Sequence, residues 1–137
     1  MYKDMAGFLE NDRFAAYVGI KLLKVEPGYA VAQIEINDHH LNGVNIVQGG
    51  VLFTLADFAF AAASNSKGSV TLGVNANISF FKSPKGKLLT AEAREISSYK
   101  KLCGYSVDIF DEDRDLIARF SGTGYIKREK LEFDGEK

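Results

Sequence analysis

The stretch that decides the fold is the longest weakly polar run of the chain. Residues 49–64 read GGVLFTLADFAFAAAS. Alanine and leucine favour a helix after the two glycines, and apolar residues occupy nearly every helical position. A helix that is apolar on all sides is a buried helix. We therefore predict that this segment, about four turns long, is the central helix of the domain.

Strand-like runs lie on both sides of this helix. Each is rich in β-branched or aromatic residues and is bounded by turn residues. The predicted strands are 20–26, 29–36, 70–81, 87–97, 102–110 and 116–126. Residues 4–17 have the spacing of a short amphipathic helix, and 37–45 form a polar loop. A run of strands after one long helix indicates an α+β domain with an antiparallel sheet, and not alternating βαβ units.

Composition limits the possible functions. The 137 residues suffice for one domain, 1–137, with a core at about 19–127 and a charged, frayed tail at 128–137. The net charge of −1 provides no basic excess for nucleic acid. One cysteine and two histidines argue against a disulfide framework or a metal site. Neither a signal peptide nor a run long enough for a bilayer is recognisable, so we expect a cytoplasmic protein without a membrane partner.

Asp57 is the one charged side chain between His40 and Lys67. It falls in the middle of the predicted helix, where a carboxylate is unfavourable without a partner. The positions three and four residues away hold Phe53, Thr54, Phe60 and Ala61, so the helix itself supplies no counter-charge. Either a sheet residue or water satisfies the carboxylate, or the carboxylate is retained because it takes part in chemistry.

Gly49 and Gly50 open the helix. Glycines there allow a ligand to approach the free N–H groups of the first turn, which suit an anion or a developing oxyanion; a tight turn is the alternative explanation. Asp57 comes eight residues after Gly49, about 12 Å along a helix axis. One chain therefore does not bring both groups to one carbonyl, and we hypothesise a two-fold symmetric dimer in which each chain supplies one of them.

Two longer segments resemble a known family. Residues 40–57, HLNGVNIVQGGVLFTLAD, and 73–84, GVNANISFFKSP, resemble the signature of the hotdog-fold acyl-CoA thioesterases, and most closely the phenylacetate-pathway (PaaI-like) subgroup. The resemblance covers about residues 19–127. It implies the hotdog fold, in which a curved antiparallel β-sheet wraps around one long central helix, here with a short N-terminal helix. It also implies homodimers, often assembled into homotetramers.

The resemblance further implies roles for individual residues. Asp57 corresponds to the catalytic acid, Gly49 to the oxyanion donor, and Asn42 to the residue that helps to hold water. Gln48 stands where the family usually has histidine; glutamine can orient a thioester but cannot exchange a proton near neutral pH. Contacts to the substrate, including its coenzyme A part, are expected from Gly50, Gly73, Asn75, Lys82, Ser83, Pro84, Lys100, Lys101, Leu102 and Cys103.

The function implied is hydrolysis of small aromatic or medium-chain acyl-CoA, with Asp57 as general base or nucleophile and no separate cofactor, because coenzyme A belongs to the substrate. A hotdog protein that binds acyl-CoA without catalysis is the alternative. A dehydratase is a weaker one, because the signature contains no His–Asp pair. The residues leave open which acyl group is cleaved and whether the protein is a dimer or a tetramer.

Overall fold

The computed structural model describes residues 5–132. The three α-helices are α1 (Met5–Glu10), α2 (Arg13–Val18) and α3 (Gly49–Asn65). The strands are β1 (Lys21–Glu26), β2 (Tyr29–Glu35), β3 (Ser69–Phe80), β4 (Leu88–Tyr99), β5 (Leu102–Phe110) and β6 (Leu116–Lys130), and a 3₁₀ turn spans Asp38–His40.

The strands form one antiparallel sheet in the order β1-β2-β4-β5-β6-β3. Helix α3 packs against all six strands, so the sheet surrounds it. The predicted α+β architecture, an antiparallel sheet around one central helix, is confirmed. Strands β1 and β3 are the two edges, and β3 pairs only with the last strand of the chain, β6.

Small residues on the inner face of the sheet set how closely α3 approaches it. Two alanines lie at inward positions of each of β2 and β4, and glycines of β3 and β6 lie under the ring of Phe60. A Cβ atom on Gly122 would lie 3.3 Å from that ring, and one on Gly73 would lie 3.2 Å from it. Phe60 occupies the space these glycines leave, and its ring packs against Tyr105 and Phe120.

The N-terminal segment differs from the prediction. The single helix expected over residues 4–17 is two short helices, with residue 4 outside the described range. Asp12 separates them and caps the second, because its side chain accepts a hydrogen bond from the Ala15 N–H at 3.0 Å. Aspartate favours this capping position over a helix interior. The amphipathic spacing indicates helix correctly, but the prediction overlooks the capping residue inside it.

The predicted tail is also partly wrong. Strand β6 extends to Lys130, beyond the expected end at residue 126, because it follows the paired strand β3 to its beginning at Ser69. The Leu131 N–H then bonds the Gly68 carbonyl at 2.7 Å. Residues 133–137 lie outside the described range. No helix within residues 5–132 has the length and apolarity needed to cross a bilayer.

His40 joins the N-terminal helices to the loop that precedes α3. Its Nδ1 accepts the Asn37 N–H at 3.0 Å, and its Nε2 donates to the Val18 carbonyl at 2.7 Å. The His40 carbonyl in turn accepts the Gln48 N–H at 2.8 Å. This buried imidazole therefore fixes the end of α2 and the beginning of α3 relative to each other.

Candidate active site

Residues 5–132 leave one stripe of helix α3 uncovered. Gly50, Phe53 and Asp57 are exposed, and Thr54 and Ala61 between and after them are half-buried. These positions share one helical face because they recur at intervals of three and four residues. The prediction that α3 is buried on all sides is therefore wrong for the single chain. The apolar residues of the stripe show that a surface is to be covered, but not which chain covers it.

Asp57 lies in the middle of that stripe and faces outward. No described residue of the sheet forms a hydrogen bond or ion pair with it, so the explanation that a sheet residue satisfies the carboxylate is not supported, and its part in chemistry stays a prediction. Its helical surroundings nevertheless remove part of its hydration and raise the pKa of the carboxyl group, and the Asp12 carboxylate raises it further. Among the described residues no cation forms an ion pair with Asp57.

The start of α3 presents one free donor. Gln48 is the N-cap, and its side-chain oxygen accepts the Gly50 N–H at 2.6 Å. The Val51 N–H bonds the Gln48 carbonyl at 2.9 Å. Within the described part of the chain, no acceptor bonds the Gly49 N–H. The cap thus occupies the Gly50 donor and leaves the Gly49 donor for a ligand, at the positive end of the helix dipole.

Asn42 organises the loop in front of the helix. Its Oδ1 accepts the N–H groups of Val44 and Ile46, at 2.9 and 3.2 Å. An isolated bridge between Leu41 and Val47 closes the loop. Because the amide oxygen is engaged within the loop, only the amide N–H groups of Asn42 are left to bind water. The expected water-holding role of Asn42 stays a prediction.

A cavity of about 310 Å³ opens beside the start of α3. It brings Gly49 together with three of the predicted coenzyme A contacts; the lining residues are Ile46, Val47, Gly49, Leu52, Phe80, Phe81, Lys82, Ser83 and Pro84. A Cβ on Gly49 would meet the Phe80 ring at 3.1 Å, so the glycine allows the cavity wall to approach the helix terminus.

Acidic residues of the β5–β6 loop hold the loop that carries Lys82. The Lys82 ammonium pairs with the Asp115 carboxylate at 2.8 Å. The buried carboxylate of Asp111 accepts the Lys85 N–H at 3.0 Å, and such backbone hydrogen bonds lower its pKa. Glu112 accepts the N–H groups of Lys87 and Leu88. Lys82 therefore stays charged beside Asp115, and its expected role as a phosphate contact stays a prediction.

The other predicted coenzyme A contacts lie at the opposite end of the sheet. Cys103 on β5 is level with Gly124 on β6 and Gly73 on β3, whereas Phe80 marks the end of β3 near Gly49. Seven residues of strand separate Gly73 from Phe80, about 23 Å. The contacts not brought to Gly49 within one chain are Gly73, Asn75, Lys100, Lys101, Leu102 and Cys103.

Three residues at this opposite end of the sheet are engaged in contacts within the fold. Cys103 is buried, its thiol lies 3.7 Å from the Gly124 carbonyl, and burial raises its pKa. Gly73 faces the Phe60 ring. The neighbouring Thr71 is buried, and its hydroxyl donates to the backbone carbonyls of Ser69 and Ser64 at 3.1 and 3.4 Å.

Two features were missed in the sequence. Asp12 lies 45 positions before Asp57 in the chain, yet its charge acts on Asp57. Asp12 could have been recognised as a helix cap, but not as a neighbour of Asp57. In the sequence, the acidic residues at 111–115 predict only a turn between two strands, because the hydrogen bonds that they accept come from residues 24 to 33 positions away.

Comparisons with known proteins agree with this architecture. The sequence model of the Thioesterase superfamily matches residues 44–118. A putative esterase of Archaeoglobus fulgidus is 35% identical over 117 residues, which cover 85% of this chain and 76% of the relative. The acyl-coenzyme A thioesterase PaaI of Escherichia coli is 33% identical, with 85% of this chain and 84% of the relative covered. The solved structure of the E. coli PaaI protein superposes with a TM-score of 0.86 at 30% identity and covers 91% of each chain.

Proposed function

This chain belongs to the thioesterase superfamily and is a thioester hydrolase, and from that premise we propose that it cleaves small aromatic or medium-chain acyl-CoA into the free acid and coenzyme A. The observation that carries the proposal is the pair of groups on α3. An outward carboxylate without a counter-ion among the described residues, Asp57, shares the helix with an unoccupied N–H, that of Gly49. The name of the E. coli relative supports the acyl-CoA substrate.

The two groups supply what the reaction needs. A water molecule attacks the thioester carbonyl carbon while the Asp57 carboxylate takes its proton, or the carboxylate attacks the carbon directly and the resulting anhydride is hydrolysed. In both routes negative charge develops on the carbonyl oxygen, and the Gly49 N–H stabilises it by about 3 kcal/mol. The C–S bond breaks as the charge returns from that oxygen, and the sulfur of coenzyme A leaves and takes up a proton. In the second route this step forms the anhydride, which water hydrolyses afterwards.

The separation of the groups requires two chains. Asp57 and Gly49 are about 12 Å apart along one axis. When two α3 helices lie antiparallel about a two-fold axis, Asp57 of one reaches the level of the partner's Gly49 if the axis passes midway between these positions. The midpoint is Phe53, which is 36% exposed and lies on the open stripe. The geometry of the proposed site thus specifies where the two-fold axis runs.

Edge strand β3 provides a second surface for the proposed dimer interface, beside the uncovered stripe of α3. Its apolar side chains are uncovered in the single chain, with exposures of 53% for Leu72, 59% for Val74 and 53% for Phe80. An apolar sheet edge is a template for pairing with another chain. A two-fold axis reverses β3, so the beginning of the partner's β3 lies beside the end of this one. The partner's Lys100 and Lys101 then approach the Gly49 cavity, where their charges are available to phosphate.

Cross-linking tests the position of the axis. In a Cys103→Ser background, Phe53→Cys is expected to give covalent dimers with a short bismaleimide, because residue 53 lies opposite itself. Ala61→Cys is the matched control on the same stripe. It lies eight residues from the axis, so its two copies are about 24 Å apart and stay unlinked. Efficient linking at 61 and none at 53 would place the axis elsewhere. Pairing of dimers into tetramers stays a prediction.

Release of free thiol from a panel of acyl-CoA substrates tests the activity. Phenylacetyl-CoA and octanoyl-CoA are expected to be cleaved with a higher kcat/KM than acetyl-CoA, because an apolar acyl group gains from burial. Tight binding without thiol release for any member of the panel would contradict hydrolysis and favour the non-catalytic acyl-CoA-binding protein.

A further inference from the structure

A second cavity, of about 380 Å³, lies between the N-terminal helices and α3. Its walls are mostly apolar; the residues are Leu9, Ala15, Ala16, Ile20, Leu22 and Phe58. Three charged residues complete the lining, Glu10, Asp12 and Lys21. Leu9, Ile20 and Phe58 are at most 8% exposed, so this part of the lining belongs to the core, whereas Ala16 is exposed at the opening. Cavities of this size with mostly apolar lining commonly hold small-molecule groups.

The cavity adjoins the proposed catalytic carboxylate. Phe58, on its wall, directly follows Asp57 on α3. Thr54 lies three residues before Asp57 and four before Phe58 on α3. Its small side chain therefore lies on the helix surface between the side chains of those two residues. Asp12 lines the cavity, and its negative charge also raises the pKa of Asp57. A thioester carbonyl at Asp57 can therefore extend its acyl group past Thr54 into the cavity.

We propose that this cavity receives the acyl group, and that Asp12 at its mouth selects against acyl groups that carry a second carboxylate. The inference rests on the proposed thioesterase function and adds where the acyl group lies and which acyl groups are excluded. The apolar walls favour aryl and alkyl groups, which gain free energy by leaving water. Glu10, Asp12 and Asp57 place three negative charges near the path against the one positive charge of Lys21, so an acyl carboxylate meets repulsion.

Asp12→Asn isolates the charge effect, because asparagine caps a helix as well as aspartate does and the fold is retained. We expect kcat/KM for glutaryl-CoA, relative to that for uncharged pentanoyl-CoA, to rise about tenfold, since close like charges are strongly unfavourable. Asp113→Asn, on the exposed β5–β6 loop, is the matched control and should leave this ratio unchanged. An unchanged ratio in Asp12→Asn would overturn the selection by charge.

Ala16→Leu tests the cavity itself by narrowing it from the α2 side. We expect kcat/KM for octanoyl-CoA to fall about tenfold while that for acetyl-CoA is retained, as lost burial of a few methylene groups predicts. Tyr17→Leu, next on α2 but 85% exposed and outside the cavity, is the control. If Ala16→Leu keeps the wild-type ratio of kcat/KM for octanoyl-CoA to kcat/KM for acetyl-CoA, the acyl assignment is overturned. A wild-type protein that releases thiol from no acyl-CoA would instead overturn the function on which this inference rests.

Discussion

Asp57→Asn is expected to lower kcat/KM for every acyl-CoA substrate by about 1,000-fold, the typical contribution of a positioned acid or base. Asparagine keeps the shape of the side chain but has no negative charge with which to take a proton or attack a carbonyl carbon. Thiol release measured on the purified variant, with circular dichroism as a check of the fold, gives the result. A variant that retains most of its activity would remove Asp57 from the mechanism.

The same variant should not be less stable than the wild type. The folded state raises the pKa of Asp57 above its ordinary value of 3.8, so folding favours the neutral carboxyl. The contribution of the neutral Asp57 carboxyl to the free energy of unfolding is fully present below its unfolded-state pKa. It is lost as the pH rises through the folded-state pKa. At neutral pH the charged side chain therefore opposes folding, and the uncharged asparagine removes the penalty. We expect an equal or higher Tm at pH 7 and a smaller difference near pH 3.

The pH dependence of the rate follows from the same shift. The active form of Asp57 is the deprotonated one, so activity should decline as the pH falls through its raised pKa. Desolvation is the main cause of the shift and the charge of Asp12 is the second. Asp12→Asn removes the second cause and should move the acidic limb of the rate profile to lower pH.

Gly49→Pro is expected to lower kcat/KM by about 100-fold, the loss typical for one oxyanion donor. Proline removes the N–H and suits the first position of a helix. The preceding Gln48, at φ −69° and ψ 136°, already has the extended conformation that proline requires of its neighbour. The fold should therefore be retained.

Gly49→Ala is the matched control for this prediction. It adds the same Cβ, which meets the Phe80 ring at 3.1 Å, but it keeps the N–H. If the donor matters, alanine lowers the rate far less than proline does. Equal losses in the two variants would attribute the effect to crowding at Phe80 and would remove the oxyanion role from Gly49.

The sequence was sufficient for the central helix and for most of each strand. Helix propensity begins sharply after two glycines, so the predicted 49–64 and the observed Gly49–Asn65 nearly coincide. The strand ends were predicted less well, since β6 is lengthened by its pairing with β3. The prediction that α3 is buried on all sides is wrong because Phe53 and Ala61 lie on the uncovered stripe. An apolar residue in the sequence does not reveal whether the sheet or a second chain covers it. Periodicity reports that a face avoids water, and not what it touches.

The candidate site could be recognised because its residues differ from their neighbours in the sequence. Asp57 stood out because no neighbour neutralises it, and Gly49 because it opens a long helix. The pairing of Lys82 with Asp115 could not be predicted, because the two residues are 33 positions apart and a long-range ion pair leaves no local trace in the sequence. Asp12 was missed for the same reason. That Asp57 and Gly49 act together across two chains could be inferred only from helix geometry, because the helix rise separates the two residues too far within one chain.

Mixed dimers test that composite site directly. Asp57→Asn chains and Gly49→Pro chains, each nearly inactive alone, are unfolded together in equal amounts and refolded. A mixed dimer then contains one site with an intact Asp57 from one chain and an intact Gly49 from the other. Random pairing makes half of the dimers mixed, and one of the two sites in each mixed dimer is intact. We therefore expect about a quarter of the wild-type activity. If both groups acted within one chain, every site would carry a defect, and activity no greater than the sum of the two variants would contradict the shared site.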